Sequence, residues 1–185
     1  MSRLFPLMAL SAACMACFAS LTACYPTFNW REVRPEGTAL SLLLPCKPEK
    51  AQKILPIGGK PIPLTLLGCD AGDITFAVAE VSLANPQDVA PVLEQWQGAT
   101  LVNMKVGTAA PGSAASSFML IKIAGASTQP PALLVRARGH RADGRPVSGH
   151  AAYFAHGSQA FQAVMYADNI PQDVAETFFS SLKFE

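Results

Sequence analysis

The apolar stretch from Leu4 to Ala23 decides how much of this chain is available to fold. It follows a single basic residue, Arg3, contains no acidic side chain, and is broken only by Pro6 and a few serines and threonines. Roughly 20 apolar residues are enough to cross a bilayer. This stretch is rich in Ala, Ser and Cys, however, and so is only weakly apolar, and it ends on small residues. A basic start, an apolar middle and small residues at the end are the layout of a secretory signal. We read residues 1–23 as a segment removed on export; an uncleaved anchor is the alternative. Cys14 and Cys17 form a Cys-x-x-Cys inside that segment, where cysteine acts as a small apolar residue rather than a redox or metal pair.

The four residues Leu21-Thr22-Ala23-Cys24 resemble the lipobox of bacterial lipoprotein precursors. The resemblance implies that Cys24 receives a diacylglycerol thioether and becomes the new N-terminus after cleavage. Small residues before it let a membrane-embedded peptidase close on the backbone, and its thiol is the nucleophile that is alkylated. In that family an Asp directly after the modified cysteine holds the product in the inner membrane. Tyr25 stands there in this chain, which implies transfer to the outer membrane, with the folded part facing the periplasm. Several acyl chains make such anchoring stable where one would not.

Of the 185 residues, 162 follow position 23, a length that suits one domain with its own core. Without Arg3 the remaining chain has 13 basic and 13 acidic residues. That balance implies no basic face, and no run of Lys or Arg is long enough to suggest binding to nucleic acid or anionic lipid. Arg136, Arg138, His140, Arg141 and Arg145 are the local exception. Once Cys24 is alkylated only Cys46 and Cys69 remain. Two thiols in an oxidising compartment pair, the alternative being two free buried thiols. With Gly58-Gly59 as a two-residue hairpin turn, Ile57 pairs with Lys60 and Cys69 falls opposite Pro48, leaving Cys46 a diagonal neighbour. Pro45 and Pro48 let the chain bend there. A disulfide closing this loop is worth about 3–4 kcal/mol in the chain-entropy model.

Residues 24–36 read as a lipidated tether with Pro26 and Pro35, in which Trp30 is expected to pack on the domain. Residues 37–185 read as a single globular domain. Strands are expected at 38–44, 51–57, 60–68, 74–83, 118–124, 132–141, 147–155 and 160–166, with Pro56, Pro61 and Pro63 keeping the first hairpin near a sheet edge. Asp143-Gly144 signals a second hairpin. A helix opens at Asn85-Pro86-Gln87-Asp88, buries Val89, Val92, Leu93 and Trp96, and is expected to end at Gly98. Pro91 requires either a kink or a true cap at Asp88. Residues 101–106 fit a short helix or a strand, and 109–117 a loop. A closing helix starts at Pro171-Gln172-Asp173, with Val174, Ala175, Phe178 and Leu182 on one side. Pro-Gln-Asp-Val-Ala occurs at both 86–90 and 171–175. Nothing else lines up around this echo, which favours shared helix-start chemistry over duplication.

Together these elements give an α+β fold, an antiparallel sheet of about six strands with helices packed on it, after a cleaved lipoprotein signal. The order resembles the PsbP-like fold. The matching residues are Leu42 to Pro45 early in the domain, and Phe178, Phe179, Ser180, Ser181 and Leu182 after the strand from Ala160 to Tyr166. Proteins of that fold mostly bind partners or support assemblies, and the resemblance carries over no catalytic residue.

Chemistry-bearing patterns are few. No Gly-x-Ser-x-Gly, phosphate loop, His-Glu-x-x-His or Cys/His cluster occurs, so no cofactor and no metal is expected. Asp70 and Asp73 flank Gly72, as turn aspartates do. With Ala142 opposite Arg145, His140 faces Val147 and His150 points to the other side of the sheet; His156 ends that strand. Arg136, Arg138 and His140 share one face by their period of two. They form the candidate contact surface, where guanidinium forks meet carboxylate or phosphate groups; a solvated face with acidic neighbours is the alternative. The expectation is a membrane-anchored envelope lipoprotein with a non-catalytic binding or assembly domain and an envelope protein as partner. A small hydrolase-like envelope enzyme is the alternative. A pocket of converging polar groups favours the enzyme, and a flat face with exposed arginines favours the binder.

Overall fold

The computed structural model describes residues 26–57, 60–107 and 115–185. The signal, Cys24, Tyr25, the Gly58-Gly59 pair and most of the loop expected at 109–117 lie outside them. Among the described residues ten strands form two antiparallel sheets, of seven and three strands, where the sequence reading gives eight strands and a single sheet of about six. These residues are mainly β, with two α-helices among them. No helix of the described residues is long and apolar enough to cross a membrane.

The large sheet holds β3 (Glu49–Ile57), β4 (Lys60–Ala71), β5 (Ile74–Ser82), β6 (Ser116–Leu120), β7 (Leu133–His140), β8 (Pro146–His156) and β9 (Gln159–Ala167). Its order is β3-β4-β5-β9-β8-β7-β6. The small sheet pairs β1 (Arg31–Val33) and β10 (Lys183–Phe184) with either side of β2 (Leu40–Leu44). The two strands missing from the sequence reading, β1 and β10, are three and two residues long. Strands this short carry no readable alternation.

Both faces of the large sheet are covered in its middle. On one face Phe76, Val78, Phe154, Phe161 and Met165 pack against Leu40, Leu42 and Leu44 of β2 and against Val174, Ala175 and Phe178 of α2 (Gln172–Ser180). On the other, Ala79, Val81, Val135, Tyr153 and Val164 pack against Val89, Val92, Leu93 and Trp96 of α1 (Val89–Asn103). Double burial explains why β8 and β9 read as near-continuous apolar runs rather than alternating ones.

The proline-rich hairpin keeps the expected register, Ile57 with Lys60, and β3 is a sheet edge. Pro61 and Pro63 fall in the part of β4 that pairs only with β3, because the β4–β5 ladder begins at Leu64. Their missing N–H groups therefore interrupt no central ladder. A 3-10 turn, Pro86–Asp88, precedes α1, whose N-cap is Asp88. Pro91 thus sits in the first helical turn, where backbone N–H groups have no intrahelical partner to lose. The helix runs through Gly98 to Asn103 because Thr100 is buried beneath it and continues the apolar face. The Pro-Gln-Asp-Val-Ala echo starts both helices, although at 171–175 the α-helix begins directly after Pro171.

Part of the expected tether is folded. Trp30 lies edge-on to Phe76 at 5.9 Å and is stacked with Phe28, and the Asn29 N–H donates to the Pro45 carbonyl at 2.8 Å. Cys46 and Cys69 form a disulfide with their Cα atoms 6.0 Å apart. The chain just before β1 is held against the link between β2 and β3, which the disulfide ties to the end of β4.

Candidate functional site

The covering of the sheet is incomplete at one end. On the α2 face β7 is buried at Leu134, but the next two residues on that side, Arg136 and Arg138, are exposed. Neither β2 nor α2 reaches over them. The uncovered ends of β6, β7 and β8 make the floor of a cleft of about 310 Å³, and Asn169 and Ile170, between β9 and α2, form part of its wall. Ser117, Ser148 and His150 line it beside the two arginines.

His150 reaches this cleft through a register that the sequence reading misplaced by one residue. Arg136 pairs with His150 and His140 with Pro146, not with Val147. The hairpin is not closed by a two-residue turn. The Arg141 N–H donates to the Arg145 carbonyl, and the Gly144 N–H donates to the Arg141 carbonyl. This leaves Ala142, Asp143 and Gly144 as the loop, with Gly144 at φ +86°. A type I turn followed by a left-handed glycine is the usual three-residue solution. Because side chains alternate with period two, a slip of one residue moves a whole strand's set to the opposite face. His150 therefore shares the face of Arg136 and Arg138. His140 has the same parity but lies at the strand end, exposed and outside the cleft lining, with its N–H given to the Met104 carbonyl.

The charges nearby are unevenly matched. Arg141 pairs with Asp168 at 3.2 Å and Arg145 with Asp143 at 2.8 Å. Among the described residues, Arg136 and Arg138 take part in no hydrogen bond or ion pair with a carboxylate. His150 is half-buried, and its Nδ1 has no hydrogen-bond partner. Burial, and then the Arg136 guanidinium, push its pKa down to about 4. The imidazole is neutral at neutral pH, and the positive charge of the cleft comes from the two arginines. Ser148 Oγ donates to the Asp168 carbonyl at 3.2 Å. The face is thus neither flat nor closed; two unpaired guanidinium forks converge with hydroxyl and amide groups in an open hollow.

No protein-family model and no curated protein matches this sequence. Among solved structures, the chain is similar to a protein from Bacteroides thetaiotaomicron VPI-5482 whose crystal structure was determined at 1.50 Å. The two share 12% identity at a TM-score of 0.45, over 79% of this chain and 45% of that one. The chain spans less than half the length of that protein, and the likeness says nothing about what either does.

The other histidines have separate surroundings. His156 Nδ1 lies 2.9 Å from the Gly125 carbonyl, and its ring stacks on Phe184 at 4.5 Å. The Asp70 carboxylate accepts a hydrogen bond from Thr75 Oγ1 at 2.6 Å. A second hollow, of about 460 Å³, lies beside the disulfide and is lined by Lys47, Glu49 and Asp70, among others. Its mixed charges favour neither anion nor cation. Sequence reasoning missed Ser117, Ser148, His150 and Asn169 as companions of the arginines. The hairpin turn type, had it been read as a three-residue loop, would have placed Ser148 and His150 correctly.

Proposed function

We propose that this protein is a lipoprotein anchored through acylated Cys24 to the periplasmic side of the outer membrane, whose domain is a non-catalytic module that binds an anionic group in the Arg136–Arg138 cleft. The observation that carries the binding reading is the pair of arginines side by side in a hollow with no carboxylate taking up their charge. A guanidinium pair left unmatched is poised for planar, bidentate contact with carboxylate or phosphate oxygens. The support for the anchor is the sequence from Leu21 to Cys24 and the segment before it.

The test is in-cell cross-linking of the native protein and of an Arg136→Glu, Arg138→Glu double variant. Loss of captured material with the fold intact supports the reading; identical capture by both proteins removes it. A hydrolase draws on the same cleft, since Ser117, Ser148 and His150 converge there. Against hydrolysis, the Ser148 hydroxyl is engaged by the Asp168 carbonyl, and His150 Nδ1 holds neither a serine nor an orienting acid. Ester turnover that vanished in His150→Ala would reverse this preference.

A further inference from the structure

We infer that the cleft takes the phosphate headgroups of the same membrane to which Cys24 fastens the chain, an inference that rests on the anchor proposed above. The first step is reach. A Cβ placed on Gly72, in the β4–β5 turn, would lie 3.2 Å from Thr27 Cγ2 and 3.9 Å from the Phe28 ring, so the chain is docked on that turn by Thr27. Cys24 precedes Thr27 by three residues, which span at most roughly 10 Å when extended. An acylated Cys24 therefore brings the β4–β5 turn close to the lipid surface.

The second step is alignment. One transverse line of paired residues runs Asp70, Thr75, Tyr166, Gly149, Ala137 and Ser116. It starts beside the Gly72 turn and passes between Arg136 and Arg138. The four strand steps from β4 to β7 cover about 19 Å at the usual spacing. The end of the sheet that the anchor draws to the membrane is thus the end that carries the cleft.

The third step is chemistry. Asp143, in the β7–β8 loop, and Asp168, just after β9, are matched by Arg145 and Arg141. Arg136 and Arg138 are left over, with Ser117 and Asn169 beside them as neutral donors. A phosphodiester offers only acceptor oxygens and a negative charge, and suits this set. Two residues on from Ser117 on the edge strand, and on the same face, Met119 is 48% exposed. A cationic hollow with a bare apolar side chain on the same face suits a surface resting at the headgroup–acyl boundary.

The experiment places the full mature protein, isolated with its native N-terminus, in vesicles of phosphatidylglycerol and, separately, in vesicles of a neutral glycolipid without phosphate. Phenylglyoxal modification of Arg136 and Arg138 is followed by mass spectrometry. We expect modification to be roughly thirtyfold slower on phosphatidylglycerol, the scale that two arginines near an anionic surface produce. In a Met119→Trp variant, the emission shifts to the blue on phosphatidylglycerol, and the shift is lost when Arg136→Glu and Arg138→Glu are added. Equal modification in the two vesicle types overturns the inference. So does protection by inorganic phosphate added to the glycolipid sample without protection by phosphatidylglycerol, which assigns the cleft to a soluble phosphate instead. An N-terminal peptide lacking acyl mass overturns the anchor itself. That result comes from a different peptide than the arginine result, so the two failures are told apart.

Discussion

Arg136 and His150 stand directly opposite one another across the β7–β8 pairing, one exposed and one half-buried, on the same open face. Burial disfavours the charged imidazole, and the permanent cation facing it disfavours that charge further, so His150 is held down to about 4. The unfolded chain takes up a proton near the ordinary value of 6.5. Between those values the unfolded state binds more protons than the folded one, so stability falls as pH drops from 6.5 to about 4. With solvent screening of this half-exposed ring, the loss is on the order of 1 kcal/mol. Urea titrations across that window should show the slope for the native protein and a flatter profile for His150→Ala. Parallel profiles would mean that His150 does not contribute.

Gly139 is where α1's exit meets the sheet. A Cβ there would lie 2.0 Å from the Met104 carbonyl oxygen, which already accepts the His140 N–H at 2.6 Å. Backbone on both sides leaves nothing soft to yield. We expect Gly139→Ala to destabilise the domain by more than about 2 kcal/mol in equilibrium unfolding.

Gly98 makes the opposite case. It lies exposed inside α1, and a Cβ added there would meet nothing within 4 Å. Alanine there removes unfolded-state entropy without a clash, and Gly98→Ala should stabilise by about 0.5–1 kcal/mol. A lower melting temperature for this variant would contradict the helical assignment through residue 98.

Beneath α1, Gln162 Nε2 donates to Thr100 Oγ1 at 2.9 Å and to the Tyr153 hydroxyl at 3.0 Å, and Thr100 Oγ1 donates to the Trp96 carbonyl at 3.0 Å. Gln162 and Thr100 are buried. Thr100→Val leaves a buried amide short of an acceptor and should cost about 1–3 kcal/mol. In a double-mutant cycle with Gln162→Leu the two effects should be clearly non-additive. Additive losses would show that the network is not coupled.

The disulfide closes a separation of 23 residues. Replacing both Cys46 and Cys69 by alanine should lower stability by about 3 kcal/mol. It should also free the segment around Asn29, whose N–H is held by Pro45 next to Cys46. Hydrogen exchange at Asn29 rising with the double substitution is the check; unchanged exchange would uncouple the two.

Local chemistry alone settled several things about this chain. Alternation of two placed Arg136 beside Arg138, the prolines of the first hairpin put it at a sheet edge, and Val89, Val92, Leu93 and Trp96 marked one helix face. Each depends on neighbours within a turn or a strand, where geometry is periodic. The pairing of Cys46 with Cys69 was legible because so few thiols remained to choose from. What only the folded chain decided is which arginines stay uncovered and who joins them. His150 reached the cleft through a hairpin register set by a three-residue loop, and the hollow exists because β2 and α2 stop short of β7's end. Register and coverage follow from contacts between segments far apart in sequence, and no local period encodes where one element ends over another.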